Sequence, residues 1–137
     1  MNRLMLLIAG HALCDYPLQG DFLAKAKNRA APLPGVPWYQ ALGAHAAIHG
    51  GMVALVTGSI AMGIAETAIH ALTDDLKCCG KLSYNQDQAI HLGCKALWAS
   101  LAQAMEARSG ETRQRLDPKD DSVVPQGCAH TAAEDAA

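Results

Sequence analysis

Four apolar stretches of this chain each carry a polar pair four residues apart: His11 and Asp15 in "HALCD", His45 and His49 in "HAAIH", His70 and Asp74 in "HALTD", Asp87 and His91 in "DQAIH". Residues four apart on an α-helix are offset by about 40° and one turn of rise, so both members of each pair face the same way. Four helices packed with these faces inward would place five imidazoles and three carboxylates in one bundle core. Metal sites in helical bundles are built in this way, from side chains on facing helices.

The rest of the sequence agrees with an all-α fold. Apolar positions at Leu4, Leu7, Ile8, Ala12, Leu18 and Phe22 mark a first helical segment from about Asn2 to Lys27, with Pro17 a candidate break point. "AAPLPGVPW" then reads as a loop. A second segment runs from about Tyr39 to Thr57. A third runs from Ser59 or Ile60 to Lys77, with Ser59 as N-cap and Gly80 ending the connection. The fourth starts near Tyr84 or Asn85 and ends near Arg108. "MVALV" is the one β-branched cluster, and it continues a helical segment. Phe22 is the only phenylalanine, so the core must be built from Ala, Leu, Ile, Val, Met and Gly, which suits closely approaching helices.

The expected architecture is therefore a four-helix bundle over residues 1–109, antiparallel in sequence order, within a single-domain chain of 137 residues. From Gly110 the composition turns polar and charged, and residues 110–137 are expected to form a disordered tail.

From Trp38 to Ile64 there is no Lys, Arg, Asp or Glu. A spanning helix needs roughly 20 mainly apolar residues, and the second segment meets that length. The sequence thus leads to the expectation of a membrane-associated chain, with membrane lipid as a partner, although the other segments are shorter or carry charges. Mean hydropathy is only +0.05, lowered by the tail. Orientation stays open, because Arg3 and the arginines near the tail oppose Lys25, Lys27, Arg29, Lys77 and Lys81. "MNRLMLLIAGHALCDY" has a signal-peptide look, but His11 and Asp15 continue its helical register, and it reads as a retained first helix.

Several function classes lack support. A formal charge of −2 provides no basic face for nucleic acid. Five cysteines without a CxxC spacing indicate neither a disulfide framework nor a zinc knuckle, and they read as reduced structural thiols. No GxGxxG, P-loop, GxSxG or HExxH string is present. Haem ligation by two histidines is disfavoured by the scarcity of aromatics to enclose a macrocycle.

Taken singly, a histidine on an apolar face is ordinarily a core residue, and an i, i+4 His/Asp pair can be a local hydrogen bond. Repetition in all four segments points instead to a shared centre. The metal-ligand candidates are His11, Asp15, His45, His49, His70, Asp74, Asp87 and His91, for zinc, manganese or iron. Glu66 lies four before His70, Gln88 follows Asp87, and Lys77 lies three after Asp74. Asp75 reads as a solvated neighbour.

"GHALCDYPLQGDFLAKAKN", "HAAIH", "HALTDDLK" and "DQAIH" resemble, in that order, the motifs of the small membrane proteins of bacteria and phages grouped as domain of unknown function 3307. The similarity covers roughly Leu4 to Trp98. It implies a helical membrane protein, expected to be a multi-pass protein of a bacterial inner membrane, and it places the family pattern on the eight ligand candidates together with Gln19, Asp21, Lys25, Lys77 and Gln88. Tyr16 and Pro17 depart from the family, which more often has Phe and an aliphatic residue there.

Two functions follow as expectations. One is a divalent-metal-dependent hydrolase in which Asp15 and Asp74 do acid–base work and Lys77 stabilises developing charge. The other is a non-enzymatic bacterial or phage accessory protein whose His/Asp pairs form a structural polar network.

Overall fold

The computed structural model describes residues 2–116. Five helices follow in order: α1 (Arg3–Asp15), α2 (Gly20–Ala26), α3 (Trp38–Thr57), α4 (Ile60–Cys78) and α5 (Tyr84–Leu116), with no strand among the described residues. α1, α3, α4 and α5 form an antiparallel bundle. The alternation shows in the contacts: Asp15 meets His45 and His49, Gly50 meets Gly63, Lys77 meets Asp87 while Glu66 meets Lys95, and Arg3 meets Glu106 while His11 meets Gln88.

Local chemistry sets the helix ends. The Asn2 side chain accepts from the Leu4 amide to start α1, and Ser59 accepts from the Met62 amide at 3.3 Å to start α4. α5 opens with a capping box. The Ser83 hydroxyl accepts from the Gln86 amide at 3.3 Å, while the Gln86 side chain accepts from the Ser83 amide at 2.9 Å. Gly58 closes α3 with φ 70°, a left-handed cap that leaves Ser59 free to begin α4.

Two expected boundaries are corrected. The segment from Asn2 to Lys27 is two helices, because Pro17 has no amide to donate and Gly20 takes φ 57°. The helix expected to end near Arg108 continues through Gly110 to Leu116, supported by a 2.7 Å Arg115–Glu111 pair one turn apart. The boundary at 109/110 is therefore not a structural one. The expected disorder of residues 117–137 lies outside the described residues.

α3 has the length of a spanning helix, 20 residues. Even so, no described helix is long and apolar enough to cross a membrane, because α3 spends its length on Gln40, His45, His49 and three glycines, and the others carry charges.

α3 and α4 make the closest helix pair, and glycine makes it possible. A Cβ on Gly50 would overlap Thr67 Oγ1 and lie 2.5 Å from the Gly63 carbonyl oxygen. One on Gly63 would lie 2.6 Å from the Gly50 carbonyl oxygen and 2.7 Å from the Ala54 Cβ. Leu7, Val53, Met62, Trp98 and Ala102 fill one end of the bundle as an apolar core. The other end is packed with His11, His45, His49, His70, Asp74, Asp87 and His91, all buried. Leu55, Ile60, Ile64, Leu72 and Leu97 point outward and are exposed. Burial thus runs against the usual order, in which ionisable groups stay outside unless paired.

Candidate metal centre

The polar end of the bundle is where the four i, i+4 pairs meet. α1 brings His11 and Asp15, α3 His45 and His49, α4 His70 and Asp74, α5 Asp87 and His91. Three groups of these residues, with Glu66 added, can each bring one ligand atom per residue within 4.8 Å of the others. They are Asp15, His45, His49 and His70; Asp74, Asp87 and His91; and Glu66, His70 and His91.

In the first group, His45 Nε2 and His70 Nε2 share a hydrogen bond of 3.1 Å. Asp15 Oδ1 lies 3.0 Å from His49 Nε2 and 3.5 Å from His45 Nε2. His49 Nε2 nevertheless has no aligned hydrogen-bond partner. The two atoms approach without the alignment of a hydrogen bond. In the second group, Asp87 Oδ1 and Asp74 Oδ1 lie 3.3 and 3.6 Å from His91 Nε2. Both His91 Nε2 and Asp87 Oδ1 lack a hydrogen-bond partner. Buried polar atoms without partners are costly, and a bound ion or buried water at this point could satisfy them.

The protonation states suit a cation. Burial holds His49 down at about 4 and His70 at about 3, in each case against a nearby carboxylate, so both rings are neutral at pH 7. Neutral imidazole is the ligating form. Burial also opposes charge on His91, but Asp74 and Asp87 outweigh it and push this ring up to about 9. A cation entering there would displace a proton. Burial would raise Asp15, yet His45, His49 and the Gln88 amide hold its carboxyl far below the carboxylate range.

The surrounding shell is equally specific. Gln88 donates to Asp15 Oδ2 at 3.0 Å, and its carbonyl oxygen faces His11 Nε2 at 3.3 Å. Glu66 faces His70 Nδ1 at 3.5 Å, and is itself held by Lys95 and by Trp98 Nε1 at 2.5 Å. The Glu66 carboxylate thus stands behind the far ring nitrogen of His70, whose Nε2 faces His45. Lys27 donates to Asp74 and to Gln19 Oε1.

Of the residues singled out in the sequence, His45, His49, His70, Asp15, Asp74, Asp87 and His91 fall into ligand groups. His11 does not; it packs 5.2 Å from the His49 ring and 3.4 Å from Asp15 Oδ2 as a neighbour. Lys77 stands at the rim, 3.4 Å from Asp87 Oδ2. Gln19 reaches the centre only through Lys27. Asp75, read as a solvated neighbour, pairs with Arg29 at 2.6 Å. Sequence reasoning missed Lys27, Lys95 and Trp98. Lys95 follows His91 by four, a signal that was present. Lys27 and Trp98 carried none.

The centre opens to one side. Asp15, 12% exposed, borders a cleft of about 260 Å³ whose walls include Gln19, Asp21, Lys77, Tyr84 and Gln88. A 2.8 Å hydrogen bond between the Tyr16 and Tyr84 hydroxyls ties α1 to α5 nearby.

No protein-family model, curated protein or solved structure matches this chain.

Proposed function

We propose that this chain is a divalent-metal protein, and that the bound ion serves hydrolysis of a small phosphoryl or carbonyl substrate entering beside Asp15. One observation carries the reading: buried ligand atoms from four helices converge, and several have no hydrogen-bond partner. A divalent ion with an open position lowers the pKa of bound water and polarises the substrate oxygen. Asp15 is the ligand nearest solvent, so the open position faces the cleft. Lys77 on the cleft wall offers a positive charge to a developing oxyanion. Zinc, manganese and iron all suit a mixed imidazole and carboxylate donor set.

The alternative, a structural polar network, has its own support in the buried Lys27–Asp74 and Lys95–Glu66 pairs, which neutralise two carboxylates with no ion. Elemental analysis of the purified full chain separates the two. The metal reading expects near-stoichiometric zinc, manganese or iron, lost in His49→Ala. A chain folded but free of metal after growth in metal-replete medium supports the network.

A second proposal concerns location. The exposed Leu55, Ile60, Ile64, Leu72 and Leu97 around a polar interior favour lipid contact. Partition of the untagged chain into the membrane fraction tests it, and recovery as a monomer without detergent opposes it.

A further inference from the structure

We infer that the centre holds two divalent ions rather than one, with the Asp74 carboxylate bridging them. The inference rests on the metal-binding reading above and deepens it. The seven ligand residues divide into two sets with no member in common: Asp15, His45, His49 and His70 on one side, Asp74, Asp87 and His91 on the other. Several buried ring nitrogens lack a hydrogen-bond partner, the Nδ1 atoms of His45, His49, His70 and His91 among them, and of the Nε2 atoms that face carboxylates each set contributes one, His49 Nε2 in the first and His91 Nε2 in the second. A single ion would satisfy one and leave the other.

Asp74 lies between the sets and turns one oxygen to each. Its Oδ2 is 3.3 Å from His45 Nε2 and 3.8 Å from His70 Nε2. Its Oδ1 is 3.6 Å from His91 Nε2. Carboxylates joining adjacent ions in this way are the basis of two-metal sites, where the ions stand about 3.5–4 Å apart. Lys27 also donates to Oδ2, which is compatible because a carboxylate oxygen has two lone pairs.

The third ligand group is not a competing centre. Its Glu66 is already engaged by Lys95 and Trp98, and it serves His70 from behind. Charge adds a consequence for the substrate. Four carboxylates (Asp15, Glu66, Asp74, Asp87) face three ammonium groups (Lys27, Lys77, Lys95), leaving one negative charge once a cation has displaced the His91 proton. Two divalent ions would make the centre strongly positive, which selects an anionic substrate such as a phosphomonoester over a neutral ester.

The test is titration of the chelator-treated full chain with Mn(II), read by bound-metal content and by electron paramagnetic resonance. Two ions per chain with a spin-coupled spectrum are expected. Asp87→Asn, which keeps the side-chain shape, should lower the content from two to one and leave an isolated-ion spectrum. One ion in the unaltered chain overturns the two-ion centre while the metal reading stands. Two ions without coupling overturn the Asp74 bridge. No bound ion in a folded chain overturns both.

Discussion

His49 and His70, on facing helices α3 and α4, stack with ring centroids 3.7 Å apart and planes 20° from parallel. Both rings are buried and neutral, and protonating either would place a charge against its neighbour without water to solvate it. Their folded-state values of about 4 and about 3 lie below the ordinary 6.5, so between these limits the unfolded chain binds more protons than the folded one. Stability must then fall as pH drops from 6.5 toward 3. His91 has the opposite sign. Raised to about 9, its contribution is fully present below 6.5 and is lost as pH climbs through 9. Thermal unfolding of the chelator-treated chain should therefore peak near pH 6.5. His91→Gln should flatten the alkaline limb alone, and a profile unchanged by that substitution would remove His91 from the account.

Glu66 offers a separate handle. Its carboxylate is buried with Lys95 and Trp98, and burial opposes its charge while His70 and Lys95 hold it down at about 2. Removing one member of a buried ion pair leaves an uncompensated charge and costs about 3–5 kcal/mol. Glu66→Ala should lower stability by that order in denaturant titration, and Glu66→Ala with Lys95→Met should recover much of it. Equal losses in the single and double variants would show the pair to be uncoupled.

Much of this centre was legible from spacing alone. The four i, i+4 pairs named His45, His49, His70, Asp74, Asp87 and His91, because helical periodicity fixes which residues share a face before any packing is known. Periodicity says nothing about which faces approach most closely, so His11 was grouped with the ligand candidates although it falls in none of the three groups whose ligand atoms converge. Lys27 lay in the run leading to the prolines, and only the fold of α2 against the bundle carries its ammonium to Asp74. Pro17 was visible as a break point; the second helix beyond it depended on Gly20 adopting positive φ. α5 outran its expected end because exposed charged residues are good helix formers when paired one turn apart, even with Gly110 among them.

The α3–α4 contact depends on two hydrogens. Gly50→Ala and Gly63→Ala each force a methyl group into the facing backbone, an overpacking cost of about 1–3 kcal/mol. Because this contact sets the separation of His45 from His70, both variants should also bind metal more weakly. Gly43→Ala, with open space around its Cβ, is the control that should leave metal binding unchanged and raise stability by about 0.5–1 kcal/mol, as alanine does for glycine inside a helix.

Lys77 separates binding from turnover. It lies on the cleft wall outside every ligand group, so Lys77→Met should retain its metal while hydrolysis of an active phosphomonoester falls by about 10²–10³, the scale seen when one charge-stabilising donor is removed. Loss of metal with activity would make Lys77 a support for Asp87 instead. Unchanged activity would remove it from the chemistry.

The central claim is that imidazoles from α3 and α4 and a carboxylate from α1 bind one cation together. Anomalous diffraction at the zinc edge, from crystals grown with zinc, tests it most directly. The account predicts a peak about 2.0–2.2 Å from the Nε2 atoms of His45, His49 and His70 and from an Asp15 oxygen. Fully formed histidine stacks with no peak among them, or zinc bound only at exposed carboxylates, would contradict it.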